Sequence, residues 1–274
     1  MIIKDPIKVI KRYRSTYSNW MSVLLQLISN ENEIEVILRS GIRARLKSVN
    51  SACINGIDGK SILYIDDKKI VIKLGNSSIT LYGYQHGWLG EAFNDYEWLE
   101  VKGKNVLDVG ASVGDSAIYF ATRGAKRVTA LEPYPLPYGY MLNNVKINGF
   151  EDIIIPVNTG IGKHRLVRLD PETGFTQGSS IVESERGIAV PVLALDEVIE
   201  NFGPFDVMKM DCQGCEYDAI SESNHINQFR QILIEYHNGR RFLPGLLKEN
   251  GFNVRSTRFS GKVGYIYAKR TERE

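Results

Sequence analysis

A glycine-containing loop follows a strongly apolar run in the middle of the chain. Residues 104–116 read KNVLDVGASVGDS, in which a predicted strand ends at Asp108, and Gly110 and Gly114 precede a predicted helix. Glycine lets the backbone turn sharply and approach a ligand closely, and the first turn of a helix has free N–H groups. The two glycines do not fit the GxGxxG pattern of dinucleotide sites. Because a carboxylate before the turn would repel a pyrophosphate, the loop suits a cofactor without phosphates and with a cationic amino-acid end.

An acidic residue ends the next predicted strand. Glu132 lies 24 residues after Asp108, in the segment ALEPYP, and an acidic side chain in this place accepts hydrogen bonds from ribose hydroxyls. We assign Ser112, Pro133 and Asn158 to the same cofactor site. A glycine turn that binds nothing and a solvated glutamate at a strand end are the alternative interpretations.

Polar side chains interrupt two further apolar segments, FDVMKMDCQGCE and QILIEYH. Residues two apart in a strand share a face, so Lys209 lies beside Asp211, and Glu235 beside His237. A buried charge is unfavourable unless it is paired. If the two strands are neighbours, all four groups meet at the carboxyl edge of the sheet, where ligands bind in open α/β folds. The pattern therefore predicts a catalytic cluster that also contacts the cofactor through Asp211, with a structural ion-pair network as the alternative.

The cysteines offer little chemistry by their spacing. Cys212 and Cys215 form one CxxC pair and Cys53 stands alone, so a structural zinc site lacks ligands. We predict two unpaired cysteines in the CxxC segment. Three cysteines in a chain of this length fit a reducing compartment better than a disulfide framework.

Alternating strands and helices must position these residues. Apolar runs predict strands at 104–109, 127–131, 153–157, 205–210 and 231–236, followed by two more at 252–258 and 263–269. Helices are predicted at 114–123, 135–148, 195–201, 215–221 and 242–250. Such alternation implies a mostly parallel sheet with helices on both faces.

The N-terminal part has a different texture. Apolar residues at steps of three and four predict an amphipathic helix over 7–28, packed on its own domain or against a membrane surface or a second copy. Short β-rich runs at 34–38, 62–65, 70–74 and 78–82 predict a small antiparallel region. We therefore divide the chain into residues 1–90 and a cofactor-binding domain over 91–274. We expect residues 1–90 to shape the part of the site that binds the second substrate, or to cover the site.

The charge distribution and the absence of targeting signals in the sequence bear on the expected cellular location. Residues 1–50 hold nine lysines and arginines against four acids, a balance of +5, and the whole chain carries +2, so the remainder carries −3. The longest early apolar run, Trp20 to Ile28, is too short to span a bilayer and lies too deep for a signal peptide. We predict a cytoplasmic protein without a transmembrane segment and leave the oligomeric state open.

Five segments together resemble a known family. VLDVGASVGDS, ALEPYP, VLALDEV, MKMDCQGCEYDAI and IEYHN occur in the order found in the FkbM family of class I S-adenosylmethionine-dependent methyltransferases. The resemblance covers roughly residues 93–268. The family's KxDxEGxE pattern maps onto Lys209, Asp211, Gly214 and Glu216, whereas Gln213 replaces the usual glutamate. The resemblance implies a Rossmann-like seven-stranded sheet with a C-terminal antiparallel hairpin, here with an N-terminal helix and a small β-rich appendage.

The resemblance also implies a reaction, which is O-methylation of a hydroxyl on a sugar, glycan or other small metabolite. S-adenosylmethionine is the expected cofactor. We predict His237 as the general base, because imidazole titrates near neutrality, with Glu235 or Asp211 orienting it. These three side chains are plausible metal ligands, yet nothing in their spacing demands a metal, and we predict none. An RNA methyltransferase using the basic N-terminal segment and a non-catalytic binding module are the alternatives.

Overall fold

A computed structural model of the chain describes residues 6–54, 56–86, 89, 92–173, 181–258 and 261–270. The chain divides into two compact units, Met1–Asp95 and Tyr96–Glu274. Within the described residues, no helix reaches the length and apolarity needed to cross a bilayer.

The N-terminal unit combines short helices with two small antiparallel sheets. Its described helices are α1 (Pro6–Thr16), α2 (Trp20–Ile28) and α3 (Ser48–Cys53), with a 3-10 turn at Tyr84–His86. Its described strands are β1 (Glu33–Ile37), β2 (Arg43–Lys47), β3 (Ile62–Ile65), β4 (Lys69–Leu74) and β5 (Ser77–Tyr82). β1 pairs with β2, and β3, β4 and β5 form a meander in that order. The predicted β-rich region is therefore present, and β2 is a strand that the sequence pattern did not indicate.

The prediction of one continuous helix over 7–28 is wrong, because the helix breaks between α1 and α2. Tyr17 forms a β-bridge with Leu38, and the N–H of Ser18 donates to the Ile37 carbonyl at 2.7 Å. The side chain of Asn19 accepts from the N–H of Ile37 at 2.8 Å. These bonds to the end of β1 replace helical hydrogen bonds, and apolar periodicity does not register such long-range partners.

The C-terminal unit contains the large sheet. A short helix, α4 (Ala92–Tyr96), ends at Tyr96, which is the first residue of this unit. The described strands that follow are β6 (Asn105–Val109), β7 (Arg127–Leu131), β8 (Ile154–Val157), β9 (Gly160–Ile161), β10 (Arg165–Leu169), β11 (Ile188–Leu193), β12 (Val207–Met210), β13 (Gln231–Tyr236), β14 (Phe252–Ser256) and β15 (Gly264–Arg270). The described helices are α5 (Asp115–Thr122), α6 (Pro135–Ile147), α7 (Leu195–Phe202), α8 (Glu216–Ser221) and α9 (Leu243–Glu249).

Seven of these strands form one sheet in the order β14-β15-β13-β12-β6-β7-β8. β6, β7, β8, β12 and β13 run parallel to one another, and β15 runs antiparallel to β13 and β14. All four residues of β12 are buried, as expected of a central strand covered on both faces. The predicted Rossmann-like sheet with its antiparallel hairpin is confirmed. It brings the ends of β6, β12 and β13 together at one edge.

A three-stranded sheet, β10-β11-β9, was not predicted. β9 has only two residues, too few to show a pattern. β10 reads RLVRL with two exposed arginines, and β11 contains Pro191, which pairs in register with Leu166. Arginine and proline are poor signals for a strand, so this sheet is defined by pairing rather than by local sequence.

Candidate active site

The loop after β6 packs directly against the end of β12. Its backbone takes left-handed conformations at Gly110 (φ 74°), Ser112 (φ 48°) and Gly114 (φ 85°). A Cβ atom on Gly110 would lie 1.8 Å from the carbonyl oxygen of Asp211. Because no larger residue fits there, glycine at this position sets the closest approach between the loop and β12.

A buried ion pair lies beneath the loop. The Nζ atom of Lys209 is 3.1 Å from Oδ1 of Asp108, and their side chains are 3% and 0% exposed. Nζ also donates to the carbonyl of Gly110 at 2.7 Å and lies 5.7 Å from the centre of the Tyr96 ring. The Ser116 hydroxyl donates to Asp108 at 2.6 Å. Lys209 therefore links the loop to the central strand β12 through its hydrogen bond to Gly110.

This pairing differs from two sequence-based expectations. Lys209 was expected within the catalytic cluster, but its ammonium lies with Asp108 and the loop. Asp108 was expected to face a cationic group of the cofactor, but it has no exposed surface and its charge is already balanced. Burial lowers the pKa of Lys209, yet the carboxylates of Asp108, Asp211 and Asp115 outweigh that effect and raise it. Strand alternation gives the face of a side chain but not how far a long side chain reaches.

The predicted cofactor residues of the second and third strands surround Glu132. Its two carboxylate oxygens accept from the N–H groups of Ser112 and Tyr134, each at 2.9 Å. The side-chain amide of Asn158 donates to the carbonyls of Glu132 and Pro133, also at 2.9 Å. Burial raises the pKa of Glu132 to about 7. The carboxylate is thus fixed at the end of β7, and Asn158 supports it through the backbone.

Three of the four predicted catalytic residues lie together at the ends of β12 and β13. Nε2 of His237 is 3.6 Å from Oδ1 of Asp211 and 3.6 Å from Oε1 of Glu235. The three side chains are 8%, 24% and 17% exposed, respectively. The cluster exists because β12 and β13 are parallel neighbours, with Met210 in register with Ile234.

Two groups of the cluster, Glu235 and His237, have raised pKa values. Burial, with the charge of Asp211, raises the pKa of Glu235 to about 8. Burial by itself lowers the pKa of His237, but the carboxylates of Glu216, Asp211 and Glu235 outweigh it, so this pKa lies above its ordinary value. Such a group of neighbouring carboxylates and imidazole is suited to taking and holding a proton.

Glu216 also belongs to the site, although the sequence pattern did not assign it a role. Its carboxylate accepts from the N–H of His237 at 3.0 Å and from the N–H of Gly214 at 2.7 Å. Its Oε1 lies 3.8 Å from Nδ1 of His237, and the side chain has no exposed surface. Glu216 therefore joins the turn after β12 to the end of β13. Its place in the KxDxxGxE segment was the available signal.

The prediction of two unpaired cysteines is wrong, because Cys212 and Cys215 form a disulfide. The turn between them passes through left-handed backbone at Gln213 (φ 58°) and Gly214 (φ 128°), which brings the two Cα atoms to 5.5 Å. That separation is usual for a disulfide. Cysteine usage therefore gives no argument for a reducing compartment.

The same cluster has the donor set of a cation site. Asp211, Glu235 and His237 each offer one ligand atom, and these atoms all lie within 4.8 Å of one another. Carboxylate and imidazole donors in this number are typical of divalent transition metals and zinc.

The sheet order, the glycine loop and the acid at the end of β7 define a class I Rossmann-like domain for a nucleoside cofactor. The family model of the methyltransferase FkbM domain matches residues 108–254, more than half of the chain. The chain therefore belongs to the FkbM methyltransferase family. It is a methyltransferase, and its methyl donor is S-adenosylmethionine.

Solved structures with a similar arrangement are distant. Ribosomal protein L11 methylase from Lactobacillus delbrueckii subsp. bulgaricus is 19% identical, over 66% of this chain and 77% of that one, with a TM-score of 0.43. Magnesium protoporphyrin IX methyltransferase from Synechocystis PCC 6803, with bound SAM, is 15% identical over 66% and 79%, with a TM-score of 0.43. M. capricolum TrmK with S-adenosyl-homocysteine is 13% identical over 67% and 71%, again with a TM-score of 0.43. No curated protein matches the chain.

The residues present fit this cofactor. The carboxylate of Glu132 is held by two backbone N–H groups at the end of β7, and the acceptor capacity left on its oxygens fits the hydroxyls of a ribose. The loop from Gly110 to Gly114 packs against the end of β12, with no room for a Cβ atom at Gly110.

Proposed function

We propose that the chain methylates a hydroxyl oxygen of a sugar, glycan or other small metabolite. The observation that supports this most is the group of Asp211, Glu235 and His237 beside the cofactor loop. A hydroxyl is a poor nucleophile until its proton is removed, and these side chains form a proton acceptor at that point. S-adenosylmethionine supplies an electrophilic methyl group when bound.

In this mechanism the neutral imidazole of His237 would take the proton of the acceptor hydroxyl as the oxygen bonds to the methyl carbon. The bond from that carbon to the sulfonium sulfur would break in the same step, and S-adenosylhomocysteine would leave. The carboxylate of Asp211 orients the imidazole and stabilises the imidazolium that results, and Glu235 adds its negative charge as the pH rises above its pKa of about 8. Lys209 and Glu216 act as positioning residues, the first on the cofactor loop and the second on the end of β13. A positioned base contributes about 10²–10⁴-fold, and alignment of the two substrates supplies much of the remainder.

Replacement of the base is the direct test. We expect His237→Ala to lower turnover by about two to four powers of ten while calorimetry shows nearly unchanged affinity for S-adenosylmethionine. His225→Ala is the matched control, since His225 is exposed and pairs with Asp196, and it should retain full turnover. Undiminished turnover in His237→Ala would remove the histidine from the mechanism.

The acceptor class needs its own experiment. Tritiated methyl transfer into cell extract, followed by fractionation into glycan, lipid, RNA and protein, should place the label in glycan or small metabolites. Label in RNA would instead favour the alternative based on the basic N-terminal segment. Binding of S-adenosylmethionine with no transfer to any fraction would indicate a non-catalytic module.

A second candidate mechanism uses a divalent cation, and the ligand geometry of Asp211, Glu235 and His237 favours it. A cation held there would lower the pKa of the acceptor hydroxyl and replace the histidine as its activator. Dialysis against EDTA followed by addition of Mg²⁺, Mn²⁺ or Zn²⁺ separates the two. Lost and restored turnover supports the cation, whereas unchanged turnover supports the base.

A further inference from the structure

The N-terminal unit contains a cleft that is lined by none of the residues assigned here to methyl transfer. Its volume is about 550 Å³, and all of its lining residues belong to the N-terminal unit. Ile57 and Ile72 are buried at its apolar base, and Leu74 is half-buried beside them. Clefts of about 300–1,000 Å³ with an apolar base and a few polar groups are typical of small-molecule sites.

The polar lining is strongly cationic. Four basic side chains, Arg14, Arg39, Lys60 and Lys73, line the cleft together with one acid, Asp58, which gives +4 − 1 = +3. The Asp58 carboxylate accepts from the N–H of Lys60 at 3.1 Å. Across the described part of the chain, none of the four cations lies within ion-pair distance of a carboxylate. The cleft therefore has uncompensated positive charge.

Main-chain hydrogen bonds hold the segments that form the cleft. The Arg39 N–H donates to the Thr16 carbonyl at 3.0 Å, the Gly59 N–H to Ser15 at 3.1 Å, and the Ser40 N–H to Gly59 at 3.3 Å. A Cβ atom on Gly59 would lie 2.0 Å from the Thr16 oxygen. The end of α1, the turn after β1 and the turn around Gly59 are thus packed without a gap, and the cleft is preformed.

The two guanidinium groups are also held. Nε of Arg39 donates to the carbonyl of Arg14 at 2.8 Å, and the guanidinium carbon of Arg14 lies 5.9 Å from the centre of the Trp20 ring. Fixing an arginine before binding reduces the conformational entropy lost when it engages a ligand. A planar guanidinium matches the oxygens of a phosphate, and lysine adds a point charge.

We propose that this cleft binds a small molecule that bears a phosphate or diphosphate joined to a ring or other apolar group. The cations take the phosphate oxygens, and the apolar base takes the remainder of the ligand. The volume suits a small molecule, and a nucleic acid would instead require a charged surface that follows several phosphates. This inference goes beyond methyl transfer and does not depend on the acceptor.

Calorimetry with the full chain tests the proposal, with uridine 5′-diphosphate, inorganic pyrophosphate and uridine as probes. We expect the first two to bind and uridine to bind at least about tenfold more weakly. Arg39→Ala and Lys60→Ala should each weaken binding of uridine 5′-diphosphate by about tenfold or more. Arg43→Ala is the matched control, since Arg43 is an exposed cation of β2 outside the cleft. Unchanged affinity for S-adenosylmethionine in each variant shows that the fold is intact.

Three results would overturn the cleft assignment. One is absence of binding by both phosphate probes at low salt. Another is an equal loss of affinity in Arg43→Ala, which would reduce the effect to overall charge. The third is tight binding of a single-stranded RNA oligonucleotide by a chain that does not bind uridine 5′-diphosphate. Since S-adenosylmethionine binding is measured on the same samples, failure of this proposal is distinct from failure of the proposed function.

Discussion

Replacing Lys209 by methionine removes the ammonium that lies 3.1 Å from Asp108 and leaves a buried carboxylate without its counter-charge. Breaking a buried pair from one side lowers the free energy of unfolding by about 3–5 kcal/mol. Denaturant unfolding of Lys209→Met should show a loss of that size. Lys269→Met is the control, because Lys269 pairs with Glu100 at 2.8 Å on the exposed surface, and it should lose at most about 1 kcal/mol. Equal stability of Lys209→Met and wild type would contradict this account of the pair.

The raised pKa of Glu132 predicts opposite effects of pH on cofactor binding and on the stability of the fold. Burial raises its pKa to about 7, so the carboxylate is protonated as the pH falls below 7 and affinity for S-adenosylmethionine should fall with it. The folded pKa lies above the unfolded value, so the protonated carboxyl favours folding and its stabilisation is lost as the pH rises through 7. Calorimetry and thermal unfolding between about pH 5 and 8 measure both effects.

Glu132→Gln removes the titrating group and isolates its contribution from that of Asp115, whose pKa burial also raises to about 7. The variant should bind S-adenosylmethionine weakly and show a smaller dependence of both quantities on pH. Glu151→Gln, at an exposed position, is the matched control and should behave as wild type. A Glu132→Gln variant with full affinity would remove the ribose assignment.

Single residues were predictable where their type and position along a strand were enough. Glu132 ends a strand, and Asp211, Glu235 and His237 follow from alternation in two neighbouring strands, which is why the sequence indicated them. The actual partners of Lys209 and the role of Glu216 depend on side-chain reach and on a turn. The sequence pattern indicates neither the reach of the Lys209 side chain nor the path of the turn that places Glu216.

At the scale of elements, the loop after β6 and the end of β12 meet at Gly110. Gly110→Ala places a methyl group 1.8 Å from the Asp211 carbonyl and at a φ of 74°, so the two elements must separate. We expect loss of S-adenosylmethionine binding and a strong decrease in melting temperature. Gly103→Ala is the matched control, because Gly103 has a φ of 69° but no atom within 4 Å of a Cβ. It should lose only about 1 kcal/mol of stability from the backbone conformation.

If Gly110→Ala and Gly103→Ala behave alike in both measurements, backbone conformation alone matters and the contact between the loop and β12 does not. Calorimetry and thermal unfolding on the pair therefore test the contact itself.

The elements of the large sheet were predictable because apolar strands alternate with helices between Asn105 and Arg270. Both predicted and observed β7 span 127–131, and both predicted and observed β13 span 231–236. The break between α1 and α2 and the sheet β10-β11-β9 were not predictable in this way. Both depend on hydrogen bonds between segments distant in sequence, which local periodicity does not reflect.

At the scale of the whole molecule, the cofactor residues all belong to the unit Tyr96–Glu274. A variant lacking residues 1–85 is therefore expected to bind S-adenosylmethionine with nearly the affinity of the full chain. It should lose acceptor turnover, because we expect the N-terminal unit to contribute to acceptor recognition. Calorimetry measures the first quantity, and transfer of labelled methyl groups measures the second. Full turnover in the shortened chain would assign acceptor recognition to the C-terminal unit alone.

The backbone of Gly110 lies in close contact with the Asp211 carbonyl, with no room for a Cβ atom between them. We expect a ligand that displaces Asp211 to displace the loop as well. The two binding equilibria would then be linked, and each ligand would change the affinity of the other by the same factor. Selection for a different acceptor at Asp211 would therefore alter cofactor affinity as well. Directed evolution of acceptor specificity in this chain should yield compensating substitutions in the loop between Gly110 and Gly114.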